Sequence, residues 1–75
     1  MAQLKKRSFS IAGHRTSIAL EPEFWTALEE QARSERKHLV ALIALVDSKR
    51  GERPLASALR VYALLRAMSE DSGPL

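Results

Sequence analysis

Arg15-Thr16-Ser17-Ile18-Ala19-Leu20 decides how the chain reads. Its residues alternate in polarity with period two and include Thr, Ile and Leu, which suit a strand, and Glu21-Pro22 stops the run because the residue before proline is pushed out of helical space. At a rise of roughly 3.3 Å per residue this is a strand of about 20 Å. Successive side chains alternate across a pleat, so Thr16, Ile18 and Leu20 share one face, turned toward whatever core exists. Arg15, Ser17 and Ala19 share the other.

Downstream, the apolar spacing changes to that of helices. Pro22 suits a first helical position because its missing N–H would be unpaired there, and Glu21 and Glu23 place negative charge at the positive end of the dipole. Phe24, Leu28 and Ala32 then recur every four residues with Trp25 beside them, and Glu29 stands four before Arg33 as an ion pair on the opposite face. This first helix is expected to end at Arg36 to His38. Leu39, Leu42, Ile43 and Val46 follow i, i+3, i+4, i+7, with Val40, Ala41, Ala44 and Leu45 on the other sides, so the second helix must be buried. Lys49-Arg50 and Gly51 close it. Pro54 opens a third helix with a stripe of Leu55, Ala58, Leu59, Tyr62 and Leu65, widened by Val61, Leu64 and Met68. Ser69 to Leu75, rich in small, acidic and breaker residues, reads as a flexible tail.

A strand alone exposes backbone N–H and C=O groups along both edges and must find a partner. The simplest one is the same strand of a second copy, antiparallel across a twofold axis. A hairpin folding residues 8 to 12 onto residues 15 to 20 is the other possibility, since Phe9 and Ile11 alternate with Ser8 and Ser10 ahead of Gly13. A 75-residue chain with no cysteine has neither disulfides nor thiolate metal sites to support it, which also favours oligomerisation. The expected fold is mainly α with one short β-strand: an intermolecular two-stranded ribbon plus three helices per chain. Its dimer core is Ile18, Leu20, Trp25, Leu28, Leu39, Leu42, Ile43 and Val46. Residues 1–13 form a basic arm, 14–68 the domain and 69–75 the tail.

The formal net charge is +3, but residues 1 to 20 carry Lys5, Lys6, Arg7 and Arg15 with no acid. Such a field suits a phosphate polyanion, and it equally suits a tail that keeps the protein soluble. A two-stranded ribbon fits the DNA major groove, where Arg can bond guanine, Ser can donate or accept, and Ala can meet a thymine methyl. A solvated strand face accounts for the same three residues. The longest apolar run, Leu39 to Val46, is eight residues, too short to span a bilayer, and no signal peptide opens the chain, so a cytoplasmic protein is expected. His14 and His38 lie far apart without metal-site spacing, the carboxylates are explained by ion pairing, and the three glycines are isolated. Neither an enzyme nor a metal or cofactor protein is expected.

The strand RTSIAL, followed by EPEFWTALEEQA and HLVALIALVDSKRG, resembles a ribbon-helix-helix domain over roughly residues 13 to 51. With GHRTSIALEPEFW and the third-helix segment PLASALRVYALL, the likeness is closer to short bacterial proteins of that superfamily and reaches about residue 68. The resemblance implies an intertwined homodimer, with possible pairing of dimers on DNA, that puts paired strands in the major groove as a transcriptional regulator. It implies base reading by Arg15, Ser17 and Ala19, and phosphate binding by backbone N–H groups where the second helix starts, here His38, Leu39 and Val40. Lys5, Lys6, Arg7 and His14 are the further candidates for phosphate. The alternative function is a protein-interaction module, an antitoxin or adaptor that docks a partner on the third helix of the same dimer.

Overall fold

The structure, a computed structural model, describes residues 3–71. The elements run β1 (Lys5–Ile11), β2 (His14–Leu20), α1 (Pro22–Ser34), α2 (Leu39–Lys49) and α3 (Leu55–Asp71). The sheet is an antiparallel hairpin within one chain, with register Lys5–Leu20, Lys6–Ala19, Arg7–Ile18, Ser8–Ser17, Phe9–Thr16, Ser10–Arg15 and Ile11–His14.

The chain has two strands where one was expected, and residues 5 to 11 of the expected arm are the second, paired with β2 in the hairpin that stood as the alternative. The cause lies partly in the turn. Ala12 and Gly13 have φ of 52° and 81°, and positive φ at both central residues is the mark of the type I′ turn whose twist matches a two-residue hairpin. The rest of the cause is tertiary. Ile11 is buried and Phe9 packs against the core, so β1 shields apolar surface that an arm would leave in water.

One face of the sheet and the three helices enclose a core of Ile11, Ile18, Leu20, Trp25, Leu28, Ala32, Leu42, Ile43, Val46, Ala58, Leu59 and Ala63. Seven of the eight residues expected at a dimer core are therefore buried within a single chain; Leu39 is the exception, half-buried at the head of α2. Each large side chain so enclosed contributes about 1.5–3 kcal/mol.

Helix α1 starts where Glu21 offers its carbonyl to the Phe24 and Trp25 amides at 2.9 and 3.2 Å. It stops at Ser34, short of the expected Arg36 to His38. Arg36 takes φ of 57°, while Lys37 N–H donates to the Ala32 carbonyl and Arg36 N–H to that of Arg33, at 2.9 and 3.0 Å. These are the two bonds of a Schellman closure, formed here around an arginine in the left-handed position that glycine usually takes. Glu35, just beyond, accepts from Gln31, from Tyr62 Oη at 2.9 Å and from Arg66 Nη2 at 3.1 Å, with Lys37 Nζ at 3.2 Å. It fastens the end of α1 to α3. The Gln31 bond first, then those from Tyr62, Lys37 and Arg66, hold its carboxyl down at about 2. At the other end of α1, the Glu21 carboxylate meets Arg60 Nε of α3 at 2.9 Å.

The apolar stripe of α3 divides. Ala58, Leu59 and Ala63 are buried, whereas Leu64, Leu65 and Met68 are 57%, 57% and 55% exposed. Helix α2 also leaves Val40 38% exposed and Ala41 exposed, against the expectation of burial all round. Residues 69–71 continue α3 where a tail was expected, and the rest of that tail, 72–75, lies outside the described residues.

Candidate nucleic-acid interface

The alternation of side chains gives the hairpin two unlike faces. Arg7, Phe9 and Ile11 from β1 and Thr16, Ile18 and Leu20 from β2 are buried or half-buried on the side of the helices. The opposite face carries Lys6, Ser8 and Ser10 beside Ala19, Ser17 and Arg15, all exposed except half-buried Ala19. It has two cations, three hydroxyls, one methyl and no acid. Arg15, Ser17 and Ala19 thus share the face assigned to them from β2 alone, and the row beside them was not assigned. Its signal is the alternation of Ser8 and Ser10 with Phe9 and Ile11 ahead of Gly13, which supports the hairpin alternative but was not carried on to a recognition face.

Side-chain hydrogen bonds link the two rows. Ser8 Oγ and Ser17 Oγ are 3.0 Å apart, with either able to donate. Arg15 Nη1 donates to Ser10 Oγ at 3.4 Å. The bond joining Ser8 to Ser17 crosses a directly opposed pair, and that joining Ser10 to Arg15 crosses the next such pair toward the turn.

The other end of the ribbon is clamped from beneath. Trp25 Nε1–H donates to the Lys5 carbonyl at 2.7 Å, and the Trp25 and Phe9 ring centroids are 5.8 Å apart. The Arg7 guanidinium lies 4.9 Å from the Trp25 ring centroid and 5.5 Å from that of Phe9, and pairs with Glu29 at 3.2 Å. Glu29 therefore pairs with β1 rather than with Arg33 as expected. Burial of Trp25 in the core agrees with its spacing on the first helix.

This geometry separates the residues grouped as phosphate contacts. Lys6 shares the outer face with Arg15. Arg7 is on the helix side and engaged by Glu29 and two rings. Lys5 is opposite Leu20 and His14 opposite Ile11, both exposed and both in the register positions of the inner row. His38, Leu39 and Val40 open α2, where His38 is the N-cap with no side-chain capping bond and its carbonyl accepts from Ala41 and Leu42 at 3.0 and 3.2 Å. A helix start of this kind has amide N–H groups without intrahelical acceptors.

A second surface differs in kind. Between α2 and α3 runs a groove of about 410 Å³ whose wall includes Leu45, Val61, Tyr62 and Leu65, with Lys49 and Arg53 at its margin. No described helix is long and apolar enough to cross a membrane.

The hairpin thus presents a small, basic, acid-free outer face, and its other face is mounted on three helices. A family model described as the ribbon-helix-helix domain matches residues 4–67, and the chain belongs to that family. The family generally binds DNA and is typically dimeric. No curated protein and no solved structure matches the chain.

Proposed function

We propose that this protein binds double-stranded DNA sequence-specifically through its ribbon in the major groove and acts as a transcriptional regulator. The observation that carries the reading is the outer face of the hairpin, with Arg15 and Lys6 exposed, small hydroxyls between them and no carboxylate. Two strands about 4.8 Å apart fit a groove roughly 12 Å wide. Arg15 is the base reader with the greatest reach, bidentate to guanine; Ser17 donates or accepts, and Ala19 offers a methyl contact. Lys6 supplies phosphate charge from the same face, with Lys5, His14 and the amides of His38, Leu39 and Val40 as peripheral contacts. Arg7 holds β1 in place through Glu29. The reading is of a cytoplasmic binding protein, not an enzyme, and it needs no cofactor.

A homodimer goes with this reading, as in the family, and a twofold axis predicts inverted half-sites. Selection from a pool of random duplexes, repeated at several salt concentrations, tests it. The expected result is a recurring motif whose affinity falls with salt; Arg15→Ala costs about 1–3 kcal/mol and relaxes one base position. Equal binding of all duplexes by wild type and variant would remove Arg15 as a reader.

A second reading is favoured by the α2–α3 groove and by exposed Leu64 and Leu65 on α3. It makes the same dimer a protein-interaction module, an antitoxin or adaptor that docks its partner there. A stoichiometric partner that is lost on Leu65→Asp, with no selected DNA motif, would support that reading over the first.

A further inference from the structure

The strand that completes the ribbon comes from the same chain, and its outward row lies flush with that of β2. We propose that Ser8 and Ser10 of β1 are specificity-determining positioning residues of the recognition face, setting the hydroxyl of Ser17 and the guanidinium of Arg15 before DNA arrives. The proposal rests on duplex DNA being the ligand of the ribbon.

Three observations carry it. The register places Ser8 opposite Ser17 and Ser10 opposite Arg15, with all four exposed on one face. Each pair is joined by a side-chain hydrogen bond, at 3.0 and 3.4 Å. The face from Lys6–Ala19 to Ser10–Arg15 is four residue steps long, about 13 Å, or roughly four base pairs at 3.4 Å each. A base contact by Arg15 is thus made by a side chain already restrained from across the sheet.

The chemistry of the two restraints differs. Arg15 has several rotatable bonds, and a free arginine must be ordered when it meets a base edge; the Ser10 hydroxyl accepts from one end of the guanidinium and leaves its other N–H groups directed outward. Ser8 and Ser17 share a bond whose direction can reverse, so Ser17 can face a base as donor or acceptor while remaining paired. Without Ser8 that hydroxyl rotates unrestrained.

Both serines are exposed, so their replacement tests recognition rather than folding. The full-length protein would be taken through the random-duplex selection, and each variant then titrated with the selected duplex and with single-pair changes. Ser8→Ala and Ser10→Ala are expected to lose at least fivefold in discrimination at the pairs read by Ser17 and Arg15, with an unchanged salt slope. Ser8→Thr and Ser10→Thr, which keep the hydroxyl, restore it. Ser8→Val and Ser10→Val, strand-favouring but without a hydroxyl, reproduce the alanine result and remove any concern that β1 has been weakened. Unchanged discrimination in the alanine and valine variants, with Arg15→Ala still losing it, overturns the proposal and leaves the ribbon reading standing. Absence of any selected motif for the wild type overturns both.

Discussion

Strands β1 and β2 have equal length and the same alternation, yet they are held by different means. The inward row of β2, Thr16, Ile18 and Leu20, ends in two buried aliphatic side chains, of which Leu20 is fully enclosed. That of β1, Arg7, Phe9 and Ile11, encloses only Ile11; Phe9 and Arg7 are held by the Trp25 ring, and Arg7 also by Glu29. The first strand to be recognised in a sequence is the one whose own residues supply its anchorage. The other depends on a later helix, through the bond from Trp25 to the carbonyl of Lys5 twenty positions before it.

Removing that helix contact is expected to give the largest loss, and to give it in β1. Trp25→Ala is expected to cost about 3–5 kcal/mol in denaturant unfolding, as for large aromatic deletions in a core. Trp25→Phe separates the bond from the packing: it keeps a ring beneath Phe9 but loses the donor to Lys5, at about 1 kcal/mol. Amide exchange in Trp25→Phe should quicken along β1 more than along β2, and equal quickening in both strands would deny that Trp25 holds β1 selectively.

The turn gives smaller effects of opposite sign. A Cβ at Gly13 would meet nothing within 4 Å, so the penalty of Gly13→Ala is that of its φ of 81° alone, about 1 kcal/mol. Ala12, at φ of 52°, is the reverse case: Ala12→Asn creates the Asn-Gly pair preferred in type I′ turns and should stabilise the hairpin by roughly 0.5 kcal/mol. Chemical denaturation of the two variants checks both signs.

The subtlest change is one that should spare the ribbon. Glu35 has its carboxyl held at about 2 in the folded chain, below its value when unfolded, so its contribution is present above pH ~4.5 and is lost as the pH falls toward 2. Glu35→Gln should flatten the decline in melting temperature over that window. Because Glu35 joins α1 to α3, exchange in β1 and β2 should be unchanged in this variant; quickening there would mean that the ribbon depends on the helix junction.

The same contrast explains what was legible. Pro22, Gly51 and Pro54 marked helix boundaries that the backbone respects, and alternation alone separated Arg15, Ser17 and Ala19 from Ile18 and Leu20. Ala12-Gly13 is a weaker hairpin signal than Asn-Gly, and a row beginning with an arginine does not read as inward-facing until a tryptophan and a glutamate are known to lie under it. The end of α1 differs from its expected place for a related reason. Arg36 occupies a left-handed cap where only glycine would have announced the stop. On α3, spacing grouped Leu64, Leu65 and Met68 with Leu59, but periodicity cannot say how far along a helix its neighbours extend.

Amide chemical-shift mapping on addition of the selected duplex shows which surface meets DNA. Changes at Lys6, Ser8, Ser10, Arg15 and Ser17 that weaken with salt are the predicted result. Changes confined to Val61, Leu65 and the α2–α3 groove, with the ribbon unmoved, would contradict it.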